Sequence, residues 1–241
     1  METKKIPTYV DGLDEALGGG IPEGHVVLVS GLPGTMKSSL SYAVLYENAK
    51  DRGAKGLYVS LEQTRRSLES QMETMGFHVD AVRGNLHILD VGTIQKELGK
   101  SATKPWMEFL RRSLQTKKEI DGIDLVALDS LEALEVLAKF QDRRTELFQF
   151  FEWLRDLGAT SLVLTEASSE APFLGLDQSQ ARKDEGFLAD GIIEVKMHPF
   201  SDVDVQRRIR VVKMRGSNHK TGFYALLFED GRFQVTRVIS P

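Results

Sequence analysis

A glycine-bearing turn between a short apolar run and a helical pattern constrains the fold more than any other stretch of this sequence. Residues 27–40 read V-L-V-S-G-L-P-G-T-M-K-S-S-L. A strand, a Gly-x-x-x-x-Gly-Lys-[Ser/Thr]-like loop and a helix in this order are typical of a phosphate-binding loop. Backbone N–H groups of such a loop surround phosphates, and the helix N-terminus adds partial positive charge. The sequence therefore predicts a nucleotide site at residues 31–38.

Two side chains of this loop have predicted chemical roles. Lys37 is expected to reach the β- and γ-phosphates of a nucleotide, and the Ser38 hydroxyl is expected to hold Mg²⁺. Met36 stands where the motif has its second glycine. The alternative is an ordinary strand-to-helix turn that happens to end in Lys-Ser. The residues predicted to contact the nucleotide here are Gly31, Pro33, Gly34, Thr35, Met36, Lys37, Ser38 and Ser39.

Two later apolar runs end in acidic residues. The predicted strand 56–61 is followed by Glu62 and Gln63, and the predicted strand 123–128 by Asp129. Ligands of open α/β sheets lie at the carboxyl ends of the strands, so both acids are expected to face the phosphates. An apolar strand that ends in Asp, well after a phosphate loop, is the pattern of the acid that holds Mg²⁺.

The order of the predicted elements indicates the fold class. Strands and helices alternate first, and strands without helices follow from residue 191. This pattern predicts an α/β fold with a mostly parallel twisted sheet flanked by helices and a C-terminal antiparallel β extension, in a single domain over residues 1–241. The predicted strands are 25–30, 56–61, 86–89, 123–128, 161–165, 191–197, 207–215, 223–228 and 232–238. The predicted helices are 38–49, 64–75, 103–118 and 145–157, with loops at 92–102 and 167–186.

Composition excludes several classes of function. The chain has no cysteine, which rules out disulfides, Cys-ligated zinc and a thiol nucleophile. It contains no run of about 18 apolar residues, so we expect no membrane span and a cytoplasmic location. The net charge of −4 argues against nucleic acid as the favoured partner.

From about residue 4 to residue 238 the chain resembles the RecA superfamily, and within it the KaiC-like ATPase domain. Three stretches carry the resemblance. Residues 12–24, G-L-D-E-A-L-G-G-G-I-P-E-G, look like the family's opening, and the phosphate loop is similar to that of KaiC apart from Met36. Residues 212–219, V-K-M-R-G-S-N-H, look like the family's signature Lys-x-Arg-Gly-[Ser/Thr]-x-His.

The resemblance implies a ring, usually a hexamer, with ATP and Mg²⁺ bound between neighbouring subunits. Lys37 and Ser38 match the loop residues, Asp129 the acid that directs Mg²⁺, and Glu62 the carboxylate that activates the attacking water. Gln63 replaces the second acid that the family often has. The residues that match contacts to the γ-phosphate of the adjacent subunit's ATP are Lys213 and Arg215. Further implied nucleotide contacts are Thr74, Ser217, His219 and Asp230.

The resemblance and the motifs together predict a P-loop ATPase that is Mg²⁺-dependent and completed by a neighbouring subunit. One alternative is a non-hydrolysing nucleotide switch for a signalling partner, motivated by Met36 and Gln63. A second alternative is a recombinase paralogue that acts on DNA in repair. The acidic balance of the chain and of residues 167–186 argues against that role. The sequence does not identify a partner protein.

Overall fold

The computed structural model describes residues 4–98, 106–166, 184–199 and 204–238. The first part of the chain alternates strands and helices. These elements are β1 (Lys5–Ile6), α1 (Leu13–Ala16), β2 (Ile21–Pro22), β3 (Val26–Gly31), α2 (Lys37–Arg52), β4 (Gly56–Ser60), α3 (Arg65–Thr74), a 3₁₀ turn (Val79–Val82), β5 (Leu86–Asp90), α4 (Val91–Leu98), α5 (Trp106–Asp121), β6 (Leu125–Asp129), α6 (Leu131–Ala138), α7 (Arg143–Leu157) and β7 (Thr160–Glu166).

The last part consists almost entirely of strands. Its elements are α8 (Asp184–Leu188), β8 (Gly191–Pro199), β9 (Val205–Met214), β10 (Tyr224–Glu229) and β11 (Arg232–Arg237). Together with β3 to β7 they form a nine-stranded sheet in the order β11-β10-β9-β8-β3-β7-β6-β4-β5. The strands from β8 to β5 in this order are parallel, and β8 to β11 pair in an antiparallel manner. The predicted fold class is therefore confirmed.

The sheet is packed on both faces because its central strands are apolar at successive positions. In β3, Val27 and Val29 point into one hydrophobic cluster with α2 and α3. Val26 and Leu28 point into a second cluster with α5, α6 and α7. A continuous apolar run is typical of a strand that is covered by helices on both sides. All helices in the described part of the chain are too short or too polar to span a membrane.

The prediction of a loop at residues 92–102 is wrong for its first part, where α4 occupies Val91–Leu98. The Asp90 carboxylate accepts the Thr93 N–H at 2.7 Å and so caps the first turn, and Ile94 is buried. The short helix α6 (Leu131–Ala138) also lay outside the predicted elements. Of the predicted loop 167–186, residues 167–183 lie outside the described residues, and α8 begins at Asp184.

Candidate functional site

The loop between β3 and α2 has the backbone geometry that phosphate binding needs. A Cβ atom on Gly31 would lie 2.3 Å from the Val195 carbonyl oxygen, so only glycine fits there. Gly34 has a φ of +82°, a left-handed conformation that favours glycine, and no atom of the described residues lies within 4 Å of the position that a Cβ would take. The loop therefore turns tightly against β8 and is open on its outer side.

Met36 adopts a left-handed backbone conformation, which favours glycine. Its φ of 72° and ψ of 24° are left-handed, and it is the residue immediately before α2. Its carbonyl oxygen still accepts the Leu40 N–H at 2.9 Å, the first bond of the helix. Its side chain is half-buried and packs against the hydrophobic cluster beside α2. The loop thus keeps its shape despite a conformation that disfavours a side chain by about 1 kcal/mol.

Lys37 bends back over the loop that precedes it. Its ammonium group donates to the carbonyl oxygens of Gly31 at 2.6 Å and Leu32 at 3.1 Å. Burial lowers the pKa of Lys37, while the nearby carboxylates of Asp129 and Glu166 act in the opposite direction. A half-buried cation at the first turn of a helix can be satisfied by the phosphates of a nucleotide.

Asp129 ends β6 beside the start of α2. Its carboxylate is buried and accepts a hydrogen bond of 2.6 Å from the hydroxyl of Tyr58 in β4. Burial raises the pKa of Asp129, and hydrogen bonds from the hydroxyls of Tyr58 and Ser38 oppose the shift. A carboxylate and a hydroxyl so close together are the hard oxygen ligands that Mg²⁺ prefers. Ser38 and Asp129 therefore fit the ion that the motif implies.

Glu62 lies at the same edge of the sheet as Asp129, with its side chain exposed. The Leu61 N–H donates to the Asp129 carbonyl oxygen at 2.7 Å, which ties the ends of β4 and β6 together. The Ser130 hydroxyl, which also caps α6, donates to the Glu62 carboxylate. Glu62 is thus held toward the end of β6. Gln63 follows with a buried side-chain oxygen that has no partner within the described residues.

Lys213 and Arg215 lie at the opposite end of the parallel strands. We call this end the amino edge of the sheet, and the end with the phosphate loop the carboxyl edge. Val27 of β3 pairs with Gly191 of β8, which is opposite Met214 of β9. Gly31 is four residues further along β3, about 13 Å away at the rise of a strand. The β9 strand runs antiparallel and therefore carries its last residues away from the phosphate loop.

Within this chain the two cations bind the segment that leads into β8. The Lys213 ammonium group donates to the carbonyl oxygens of Ala189 at 2.6 Å and Gly186 at 3.0 Å. Arg215 forms an ion pair of 2.9 Å with Asp190. Burial lowers the pKa of Lys213, and the charge of Arg215 adds to this effect. Arg215 remains about half exposed, which leaves part of its guanidinium group accessible from outside the chain.

The four remaining predicted contacts also lie away from the phosphate loop. The Ser217 hydroxyl donates to the Leu17 carbonyl oxygen, and one His219 ring nitrogen lies 3.3 Å from the Ser217 carbonyl oxygen. Thr74 donates to its own helix, and Asp230 occupies the left-handed turn between β10 and β11. Across the described residues, none of these four side chains forms a hydrogen bond with residues 31–38.

Sequence reasoning missed three side chains that the structure brings to the loop edge. Tyr58 and Ser130 contact Asp129 and Glu62, respectively, as described above. The Arg207 guanidinium donates to the Gly34 carbonyl oxygen at 3.3 Å. Tyr58 reads as an ordinary buried strand residue and Arg207 as one of a basic surface pair, so neither had a motif that could reveal it.

Comparisons with known proteins agree with this geometry. The sequence model of the family described as "ATPase: KaiC" matches residues 6–237. A UPF0273 protein of Thermotoga maritima is 31% identical, with 90% of this chain and 89% of the relative covered. The circadian clock protein KaiC2 of Synechocystis is 26% identical over 98% of this chain, which spans only 40% of that relative.

A solved structure shows the same fold. The crystal structure of a KaiC-like protein from the archaeon Pyrococcus horikoshii superposes with a TM-score of 0.80 at 22% identity, with 98% of this chain and all of that chain covered. The shared fold and the phosphate loop of this chain agree with the match to the family model over residues 6–237. The chain belongs to the KaiC family of RecA-type P-loop ATPases.

Proposed function

We propose that this protein hydrolyses ATP in a Mg²⁺-dependent reaction at a site that two subunits of a ring share. The observation that supports a shared site is the separation of its predicted residues. Lys37, Glu62 and Asp129 lie at the carboxyl edge of the sheet, whereas Lys213 and Arg215 lie at the amino edge. In a head-to-tail ring the amino edge of one subunit can meet the carboxyl edge of the next.

In this proposal the phosphate loop binds the triphosphate. Backbone N–H groups of residues 31–38 and the Lys37 ammonium group hold the phosphates, and Ser38 and Asp129 hold the metal ion. When bound, Mg²⁺ bridges phosphate oxygens and neutralises negative charge. Glu62 is exposed and accepts a hydrogen bond from Ser130, and its carboxylate would take a proton from the attacking water.

The neighbouring subunit would supply the remaining charge. Lys213 and Arg215 of that subunit would contact the γ-phosphate and stabilise the charge that develops during its transfer. They would exchange contacts with carbonyl oxygens and Asp190 for contacts with phosphate oxygens. Because hydrolysis would need both edges, turnover would fall when the ring dissociates. Thr74, Ser217, His219 and Asp230 are proposed to contact the same nucleotide.

The number of subunits, six, rests on the family resemblance, as does the treatment of residues 1–241 as one ATPase domain. A cytoplasmic location is part of the same proposal. The protein partner is unidentified, and nucleic acid is not favoured because the chain is acidic overall, with a net charge of −4.

The experiment is a mixing test with two variants. Glu62→Gln and Arg215→Ala are each expected to lose ATP turnover by about 100-fold or more. In an equal mixture, some sites combine the intact Glu62 of one variant with the intact Arg215 of the other. Turnover should then recover to about a quarter of the wild-type rate if subunits mix at random. No recovery, in a ring of unchanged mass, would refute the shared site.

A matched control separates loss of charge from loss of fold. Arg237 is an exposed arginine at the end of β11, and its side chain has no hydrogen bond or ion pair within the described residues. Arg237→Ala should retain the wild-type rate. Arg215 also pairs with Asp190, so its loss could change the fold or the assembly as well as the charge. The mass of each variant should therefore be measured in parallel, with and without ATP.

Met36 supports one other function, a nucleotide switch that does not hydrolyse ATP. Its left-handed φ of 72° is a conformation that few non-glycine residues adopt, and it directly precedes the helix of the phosphate loop. A protein of this kind would bind ATP with no turnover, and Glu62→Gln would change nothing. That result would select the switch over the ATPase.

A further inference from the structure

A cavity of about 450 Å³ lies at the outer edge of the sheet, where the edge strand β5 meets α3 and α5. Its volume is within the range of pockets that bind small molecules. Leu57 of β4, Leu89 of β5 and Phe109 of α5 form its apolar part. Leu57 is buried, and the other two pack against the hydrophobic cluster on that face. The floor of the cavity is therefore a rigid part of the core.

The polar part of the cavity carries positive charge only. Arg65 comes from α3, and Arg112 and Lys117 come from α5. Among the described residues no Asp or Glu lines the cavity, although the whole chain has a net charge of −4. Because these cations are concentrated on an otherwise acidic protein, the local potential is positive and favours an anion at the mouth of the cavity.

The three cations differ in their existing contacts. Arg65 pairs with Glu69 and Lys117 with Asp121, each at 2.7 Å and each one helical turn away. Such exposed pairs contribute little to stability and can exchange partners. Arg112 is exposed and forms no hydrogen bond or ion pair with any described residue. Its guanidinium group can therefore bind a carboxylate or phosphate through two parallel hydrogen bonds.

His87 adds a further polar group to the same wall. It belongs to β5, where it pairs with Leu57 of β4, and its side chain is half-buried. Burial lowers the pKa of His87, and the charge of Lys117 lowers it further, with Asp121 opposing and Lys55 and Arg65 adding to the effect. An anion placed beside His87 would offset the neighbouring positive charges.

We propose that this pocket binds a small amphiphilic anion, with an apolar body against Leu57, Leu89 and Phe109 and a carboxylate or phosphate group against Arg112 and Lys117. The site lies at the far edge of the sheet and uses none of the residues of the phosphate loop. It is thus independent of the proposed ATPase activity. An apolar floor with cations at one rim matches a small amphiphilic molecule rather than an extended peptide.

The test uses an aromatic sulfonate, 1-anilinonaphthalene-8-sulfonate, whose fluorescence rises on binding to an apolar site. Arg112→Glu should weaken its binding by about tenfold or more, because one charge contact is reversed. Arg237→Glu, on the opposite edge strand β11, alters the net charge equally and should leave binding within about twofold. Loss of affinity in both variants alike would indicate only a long-range charge effect and would overturn the proposal.

A second pair of variants tests the cavity itself. Ser113 lines it and is half-buried, so Ser113→Trp should fill it and weaken the probe by about tenfold or more. Ile120→Trp introduces the same side chain at an exposed position of the same helix, where Ile120 is 76% exposed, and should leave binding unchanged. The thermal unfolding midpoint of each variant establishes that it is folded. Unchanged binding in Ser113→Trp would refute the site.

Competition identifies the ligand class. Decanoate should displace the probe, whereas decanol, with the same chain and no charge, should need about a tenfold higher concentration. Equal displacement by decanol would show that the site binds the apolar chain alone and does not recognise the negative charge. Displacement by an acidic heptapeptide but not by decanoate would assign the edge strand to a protein partner instead. Displacement by ATP, with Ser113→Trp unaffected, would place the probe at the phosphate loop. Each of these three results contradicts the proposal.

Discussion

The two ends of the central sheet hold charged residues in different ways. At the carboxyl end, Lys37 is the first residue of α2 and Asp129 the last residue of β6, so each lies where a parallel strand leads into a helix. At the amino end, Lys213 and Arg215 arrive on the antiparallel strand β9 and are held by the segment that precedes β8. The direction of β9 thus places the two groups of predicted nucleotide contacts at opposite ends of the parallel strands.

The largest expected difference between the two ends concerns ATP binding. Lys37→Ala should weaken binding by about 100-fold or more, because it removes the only ammonium group that bonds to the phosphate loop within the described residues. Arg215→Ala should weaken it by less than about tenfold, because that residue is proposed to act mainly on charge that develops during hydrolysis. Calorimetric titration with Mg·ATP measures both.

Lys50→Ala is a suitable control for this pair. Lys50 lies on the same helix as Lys37, near its other end, and pairs only loosely with Glu47 at 3.8 Å. The Lys50→Ala variant should bind ATP with the same affinity as the wild type. Equal losses in Lys37→Ala and Arg215→Ala would erase the distinction between a binding end and a catalytic end.

At the amino end, Asp190 links the two halves of the fold. Its buried carboxylate accepts the Val26 N–H at 3.1 Å, Arg155 at 3.0 Å and Arg215 at 2.9 Å. Asp190→Asn would leave Arg215 without its ion-pair partner, whereas Arg155 would keep its ion pair with Glu152. We expect a loss of about 3 kcal/mol in the free energy of unfolding at neutral pH, as for other broken buried pairs. Urea unfolding of the variant and the wild type measures it.

The pH dependence of this loss follows from the pKa of Asp190. Burial raises that pKa, but the bonds from Val26, Arg155 and Arg215 outweigh burial, so the pKa lies below its usual value. A lowered pKa in the folded state contributes stability above the unfolded value of about 3.9, and this stability is lost as the pH falls through the folded pKa. The difference between wild type and Asp190→Asn should therefore shrink on acidification. A constant difference would contradict this account.

The sequence predicted the phosphate loop and the strand ends because both depend on local patterns. A buried run that ends in Asp129 marks a strand end whatever the neighbouring strands are. The role of Tyr58 depends on pairing between β4 and β6, which are far apart in sequence and adjacent only in the folded sheet. Helix α4 was missed because its segment, V-G-T-I-Q-K-E-L, has few apolar residues, of which Ile94 is buried. The contact between Tyr58 and Asp129 could not be predicted because it depends on which strands pair in the sheet, and local sequence patterns do not specify that pairing.

Tyr58→Phe tests that register at the carboxyl end. The variant would remove the 2.6 Å hydrogen bond to Asp129, so the pKa of Asp129, already raised by burial, would rise further. Mg²⁺ binds the ionised carboxylate, so the Mg²⁺ concentration needed for ATP binding should increase as the pH falls. In Tyr58→Phe this increase should begin at a higher pH. At neutral pH the variant should need about a tenfold higher Mg²⁺ concentration for ATP binding than the wild type.

The control is Tyr42→Phe. Tyr42 packs 5.8 Å from the Tyr58 ring, and its buried hydroxyl has no hydrogen-bond partner in the described part of the chain. It should show the wild-type Mg²⁺ dependence at every pH. A shift of equal size in both variants would show that ring packing, not the bond to Asp129, controls the site.

The smallest expected effect concerns Met36, where the loop departs from its motif. Met36→Ala keeps a side chain at a φ of 72° and loses the contacts of the longer side chain with the core, so it should unfold about 1 kcal/mol more easily than the wild type. Met36→Gly loses the same contacts but relieves the backbone strain, so its stability should lie between the two. Urea unfolding measures all three proteins.

The order of these two variants separates strain from packing, because both lose the methionine side chain and only one retains a Cβ atom. If Met36→Gly is the more stable, the left-handed backbone disfavours the wild type and the packed side chain offsets it. If Met36→Ala is the more stable, the loop tolerates a side chain there without strain, and the departure from the motif has no energetic consequence. Turnover of Met36→Gly, measured beside its stability, then shows whether the residue that strains the loop also slows hydrolysis.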